Sequence, residues 1–423
     1  MARMRRMSGR GAHSRHRRTG PDWGTTHLGR WLLLLLVVAV VVYGAVQWLR
    51  PVPGPTFRDT TATSLRLPGA APALPWPSGG AAAVSEVGVG SVGRSGTTQP
   101  VPVASIIKVL TAVVVLRDHP LSPGAEGPAI TVPADVAAAY KAGAAQAQSE
   151  VPVIAGESLT ELQALEGMLI ASGNDLAQFL AEWDAGSTNA FVVKMNDEAK
   201  SLGLTSTHVT DPSGLDTGTV STPADLIALG EKAMADPVFA QIVAMPSVHL
   251  PNSPVIFNFD YDVGHNGIVG IKTGSDGAAG GCFLFDAQQT IAGKKVELVG
   301  VVLGQQGLTP LQSALSDATQ LAQAAFAGIR PLPVVQTGQV IGKVVTATGA
   351  SVPVTAGSSP QVLGWPGLVL AAKVRAGKLR SSMAAGAQVG TLRVTTPSGP
   401  VTVPLVLSGP VPAPGLGWRL TNL

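Results

Sequence analysis

The longest uninterrupted apolar stretch runs from Trp31 to Leu49 and carries no charge. That length crosses a bilayer as one helix, and Trp31 and Trp48 flank it like an interfacial aromatic pair. The run predicts a transmembrane anchor over residues 31–49. A cleaved secretory signal competes with that reading, but the run is longer than a usual signal core and Ala45-Val46-Gln47 is a poor cleavage site. Residues 51–78 lose all periodicity. Pro51, Pro53, Pro55, Pro68, Pro72, Pro75 and Pro77 predict a stiff, extended linker there.

Beyond residue 80 two periods alternate. Residues 81–92 fit a hairpin that opens a sheet. Val103 to Leu116 is apolar on every face except for a few polar heads, the mark of a buried helix beginning near Ala104. Residues 118–156 give few signals. Ser158-Leu159-Thr160-Glu161 predicts a capping box and a helix through Ile170. Further helices are expected from Leu176 to Trp183, from Asn189 to Leu202, and from Pro223, capped by Thr222, to about Ala235. Asp211 to Asp216 is a turn. Gly267–Gly274, Gly281–Phe285 and Val296–Leu303 read as strands, and Thr309–Ala327 as a helix. Helices inside a set of neighbouring strands predict an α+β domain over residues 79–330. From Pro331 helix signals fade into short Val- and Thr-rich strands with Gly and Pro turns, a separate small β domain over 331–423. Residues 415–423 show no amphipathic anchor pattern.

Charge refines this picture. The formal net charge is +3, but residues 1–30 hold eight arginines and one aspartate. They read as a disordered basic tail, which places the N-terminus in the cytoplasm and the body on the other side of the membrane. The remainder is mildly acidic, so no nucleic-acid surface is expected. The lone cysteine, Cys282, excludes an internal disulfide framework and reads as a core residue. The seven histidines show no metal spacing, and His265 reads as a turn or surface residue.

Three short motifs carry candidate chemistry. Ser105 and Lys108 lie three apart on the buried helix, so they share a face. A lysine desolvated among valines and isoleucines has a lowered pKa and can take the proton of a serine nucleophile. Chance alone supplies roughly one Ser-x-x-Lys in such a chain. Ser172-Gly173-Asn174 separates two apolar helices. It either aims a hydroxyl and an amide into a cleft or makes a helix-to-helix turn with the asparagine left-handed. A second Ser-x-Asn, Ser187-Thr188-Asn189, reads as a helix cap only. Lys272-Thr273-Gly274-Ser275 ends a strand. Its lysine and threonine suit a carboxylate, and its glycine permits close backbone approach.

In this order the motifs resemble those of the penicillin-recognising serine enzymes. The flanking segments Ala104–Ala112, Leu169–Leu180, Phe191–Thr222 and Gly267–Cys282 look most like the low-molecular-weight penicillin-binding proteins that are serine-type D-alanyl-D-alanine carboxypeptidases. The resemblance covers about residues 80–328 and implies a β-lactamase/transpeptidase-like catalytic fold, an antiparallel sheet flanked by helices. It implies Ser105 as nucleophile, Lys108 as its base and Ser172 as a proton relay. Asn174 would hold the substrate amide, and Lys272 and Thr273, with Gly274, would face the terminal carboxylate. The N–H groups of Ser105 and Ser275 would form the oxyanion hole. The implied partners are peptidoglycan stem peptides ending in D-Ala-D-Ala, with β-lactams as covalent inhibitors and no cofactor. Two positions depart from the pattern: isoleucines fill the gap between Ser105 and Lys108, and Ser275-Asp276-Gly277 follows the Lys-Thr-Gly segment. A β-lactamase needs a loop glutamate, for which Glu182, Glu198 and Glu231 look like ordinary helical residues. A cross-bridge endopeptidase would use the same residues. An inactive wall-binding scaffold would keep the fold without the chemistry.

Overall fold

The computed structural model describes residues 23–60 and 63–421. Helix α1, Trp23–Leu49, begins eight residues before the expected anchor. Most of the predicted basic tail lies outside the described residues. Within His27–Leu49 the most apolar 18-residue window has mean hydropathy 2.5 and is almost wholly exposed. Among the described residues it is the one helix long and apolar enough to cross a membrane.

Residues 51–78 are not simply a linker. Strands β1, Thr56–Asp59, and β2, Ser64–Arg66, lie within them. They form the two edges of the C-terminal sheet. The proline count hid two short strands whose hydrogen-bond partners lie about 300 residues further on.

The sheet ahead of residue 310 has five antiparallel strands: β3 (Ala81–Glu86), β4 (Gly90–Gly96), β5 (Ile268–Asp276), β6 (Gly280–Ile291) and β7 (Lys294–Gln305), in the order β5-β6-β7-β3-β4. Its helical layer contains α2 (Lys108–Asp118), α3 (Ala134–Ala145), α4 (Glu161–Ile170), α5 (Asn174–Ala185), α6 (Thr188–Ser201), α7 (Pro223–Met234) and α8 (Pro237–Val243). These enclose one apolar core with Leu284, Val299 and Val301 of the sheet. Helix α9, Pro310–Gly328, packs with Phe283 and Phe285 in a second core. That core continues without a break into the C-terminal sheet.

Helix starts follow local chemistry, with one shift. Thr160, rather than Ser158, caps α4: its side chain accepts from Gln163 N, and the Gln163 side chain returns the bond. Ser158 instead belongs to a short strand paired with Ala129–Thr131. Such a cap is worth about 1 kcal/mol. Ser187 caps α6, and Thr222 caps α7 ahead of Pro223. Helix α3 fills a stretch where the sequence carried few signals.

The C-terminal sheet contains β8 (Val340–Val345), β9 (Ser351–Ala356), β10 (Val369–Ala376), β11 (Gln388–Thr396) and β12 (Gly399–Leu407). With the two earlier strands its order is β1-β8-β9-β12-β11-β10-β2. A short helix α10, Leu416–Thr421, then returns to α1, where the Arg419 guanidinium lies 5.2 Å from the Trp48 ring centroid.

Candidate active site

The site begins at a tight turn. Residues Ala104–Ile107 form a 3₁₀ turn that leads into α2 at Lys108. Ala104 has φ +46°, so the chain enters the turn through a conformation that side-chain-bearing residues seldom adopt. Ser105 stays half-buried while Ile106, Ile107 and Lys108 are sealed in the core.

Lys108 Nζ makes three contacts: 2.8 Å to Ser105 Oγ, 2.7 Å to Asn174 Oδ1 and 2.8 Å to the carbonyl oxygen of Ser213. Asn174 Oδ1 and Ser213 O can only accept. A neutral amine has two protons and one lone pair. The protons go to the two carbonyls, and the lone pair is left facing the Ser105 hydroxyl. Burial supplies the neutral form: it pushes the Lys108 pKa down to about 7, against the opposing pull of Asp211, Glu150 and Asp175.

Asn174 reaches this point through a bend between α4 and α5 that also carries buried Ser172. Ser172 takes the left-handed conformation, φ +59°, and Asn174 opens α5. The left-handed residue of the turn is therefore the serine and not the asparagine. Gly173 N bonds Gly167 O at 3.3 Å, and Asn174 N bonds Ser149 O at 2.9 Å. Both fix the bend from the backbone.

Residues Lys272–Ser275 lie on the edge strand β5, where Lys272 pairs with Leu284 and Gly274 with Cys282. A Cβ on Gly274 would stand 3.0 Å from Ser105 N and 3.1 Å from Val103 O. The glycine thus lets β5 lie against the backbone that carries Ser105. Lys272 and Thr273 are buried, and Lys272 Nζ donates to Thr273 O at 2.9 Å. Burial and the nearby Lys108 both push the Lys272 pKa well down, and Asp260 opposes them.

Residues 211–216 are the predicted turn and lie in the Phe191–Thr222 segment that carries the family resemblance. Here they complete the site. Asp211 accepts from Ser213 N, Ser213 Oγ, Leu215 N and Thr219 Oγ1, which rigidifies the turn. Thr111 Oγ1 of α2 bonds Pro212 O at 2.7 Å. A Cβ on Gly214, φ +81°, would stand 2.0 Å from Ala104 O. These contacts aim the Ser213 carbonyl at Lys108. A backbone acceptor has no side-chain signature, so no motif could have announced it. A cavity of about 650 Å³ opens beside Asn174 and Ser213, with Glu150, Asp175 and Asp216 among its walls. Burial, reinforced by Glu150, raises the Asp175 pKa to about 8.

A family model described as D-alanyl-D-alanine carboxypeptidase matches residues 90–307, just over half of the chain. The chain belongs to that family. DacB2, a D-alanyl-D-alanine carboxypeptidase of Mycobacterium tuberculosis, is 43% identical over 188 residues, covering 42% of this chain and 59% of DacB2. The D-alanyl-D-alanine carboxypeptidase of Streptomyces sp. strain K15 is 32% identical over 240 residues, covering 53% of this chain and 78% of that protein. A solved D-alanyl-D-alanine carboxypeptidase from M. tuberculosis superposes with a TM-score of 0.52 at 33% identity, covering 61% of this chain and 96% of that one. Mixed helix and antiparallel sheet of the penicillin-binding type is therefore the fold, as the motifs implied. The part of this chain beyond residue 307 lies outside the family match.

Proposed function

We propose that the protein is a membrane-anchored serine D-alanyl-D-alanine carboxypeptidase acting on peptidoglycan stem peptides. One observation carries this reading: Lys108 is committed to two carbonyl acceptors and turns its third contact to Ser105. In this reading Ser105 Oγ attacks the penultimate D-Ala carbonyl carbon and its proton passes to Lys108 Nζ. The C–N bond breaks, and the terminal D-Ala leaves with a proton returned through Lys108 and Ser172. Water then cleaves the ester on Ser105 by the reverse proton path. The N–H groups of Ser105 and Ser275 hold the oxyanion, and Lys272 and Thr273 hold the terminal carboxylate. Asn174 spends its carbonyl on Lys108 and keeps its amide N–H₂ for the peptide. The exposed apolar α1 is the anchor, and the arginines before it keep the N-terminus in the cytoplasm.

The carboxylates nearest Lys108 argue against fast β-lactam turnover. Asp211 is occupied by its own turn, Asp175 accepts from Val151 N and Leu176 N, and Glu150 Oε2 accepts from Asp175 N. None is held as a free base over Ser105.

The test is intact mass of the full chain in detergent after exposure to benzylpenicillin, beside Ser105→Ala, followed by D-alanine release from a pentapeptide. A single adduct that needs Ser105, with D-alanine released, supports the reading. Rapid penicillin loss without an adduct indicates a β-lactamase. Cleavage of cross-bridged dimers in place of pentapeptide indicates an endopeptidase. Intact penicillin with no adduct leaves a scaffold.

A further inference from the structure

Charge is divided sharply along this chain. Residues 79–330 contain 24 Asp and Glu against 11 Lys and Arg, whereas residues 331–423 contain seven Lys and Arg and not one Asp or Glu. The mildly acidic average of the body conceals a basic domain attached to an acidic one.

The fold gathers four of those cations, Lys343, Lys373, Arg375 and Arg393, on one surface with Arg58 and Arg66. Side chains alternate across a strand, and in β11 Leu392 and Val394 are buried while Arg393 and Thr395 are exposed. Arg393 lies directly opposite Lys373 of β10, and exposed Arg375 follows two residues along. At one edge exposed Arg66 of β2 pairs with Val369, and at the other Arg58 of β1 pairs with Lys343 of β8. Two like-charge pairs facing each other across strands are unfavourable by themselves. Residues 331–423 supply no carboxylate to relieve them.

We propose that this outer face of the C-terminal sheet docks on the anionic phospholipid headgroups of the membrane that α1 crosses. The inference rests on the anchor reading of α1. Six residues, 50–55, separate the end of α1 from β1. They reach at most about 25 Å when fully extended. The edge strand carrying Arg58 therefore cannot leave the vicinity of the bilayer. The chain also comes back to the same place, since α10 packs on the end of α1 and Tyr43 Oη donates to Leu420 O at 3.1 Å. A tethered cationic face meets an anionic surface at high effective concentration, which a soluble polyanion does not share. The acidic catalytic domain is repelled by that surface. The molecule would stand on its basic sheet with the Ser105 cleft turned toward the wall. Each basic side chain within a Debye length, about 8 Å, of the headgroups favours docking by roughly fivefold.

The test reconstitutes the full chain in vesicles of phosphatidylcholine, with or without phosphatidylglycerol. Thr395→Cys on the outer face is the reporter, read by a bulky neutral maleimide, while native Cys282 is buried and silent. Labelling is expected to slow about tenfold with phosphatidylglycerol. High salt should restore the rate, and Lys373→Glu/Arg375→Glu/Arg393→Glu should abolish the difference. Unchanged penicillin acylation shows that this triple variant is folded. Equal labelling in both vesicles overturns the proposal. So does slowing by soluble polyphosphate in neutral vesicles without any response to phosphatidylglycerol, which would identify a free polyanion as the occupant. Salt-resistant flotation with neutral vesicles reports α1 separately. Its failure overturns the anchor reading and removes the tether, whereas flotation with equal labelling sinks the docking alone.

Discussion

Lys108 gives the sharpest prediction. An amine with an ordinary pKa of 10.5 is neutral in roughly one molecule in three thousand at pH 7. Burial brings Lys108 to about 7, so about half of the molecules hold the free base there. Acylation of Ser105 by benzylpenicillin should rise about tenfold per pH unit below 7 and level off above about 8, where neutral Lys108 is saturated. The folded-state pKa is depressed below that of the unfolded chain. Folding therefore loses stability as pH falls from near 10.5 to about 7, because the unfolded amine protonates first. Lys108→Met keeps the volume and removes the base. It should slow acylation by about 10²–10⁴-fold and leave Asn174 Oδ1 and Ser213 O without their donor. The assay is the rate of adduct formation by intact mass from pH 5.5 to 9 for both proteins. A flat wild-type profile, or a Met variant within tenfold of wild type, would refute the assignment of Lys108 as base.

Other expectations rest on separate observations. Gly214→Ala forces a Cβ to 2.0 Å from Ala104 O at φ +81°. It should cost about 2 kcal/mol or more and slow acylation by moving Ser213 O, measured by thermal melting and adduct kinetics together. A body starting at residue 79 lacks both edge strands of the C-terminal sheet and buried Leu67. It should melt lower and aggregate more than a body starting at residue 51, because strands β8 and β10 become open edges; equal behaviour on size exclusion would restore the linker reading. Asp286 is wholly buried, and that burial raises its pKa to about 8, with Glu297 adding to the rise. Its raised pKa makes folding lose stability as pH climbs from about 4 to about 8. Asp286→Asn should flatten that slope in denaturant titrations. Burial pushes the Cys282 thiol up to about 12, so it should react with a thiol reagent only after unfolding.

How much of this was legible depended on distance along the chain. Ser105 and Lys108 could be paired from the sequence because a helical turn brings neighbours three apart together whatever the rest of the molecule does. The caps Thr222 and Ser187 were legible for the same reason. The cap of α4 fell two residues later than expected, at Thr160, because the strand Ser158–Thr160 pairs with 129–131 and the helix begins only at Glu161. Strands β1 and β2 were missed: each has three or four residues, and their partners lie about 300 positions away. Helix α3 was missed because an Ala- and Gly-rich stretch carries little periodicity.

Local chemistry therefore determined the apolar N-terminal helix, the Ser105–Lys108 contact, the motif order and the mixed fold class, since each rests on contacts between near neighbours or on composition. Tertiary structure alone decided the third acceptor on Lys108, the left-handed Ser172, the approach of Gly274 to Ser105, and the gathering of scattered arginines and lysines into one face. Those depend on where distant backbones meet. A carbonyl oxygen, a φ angle and a cross-strand neighbour have no letter of their own in the sequence.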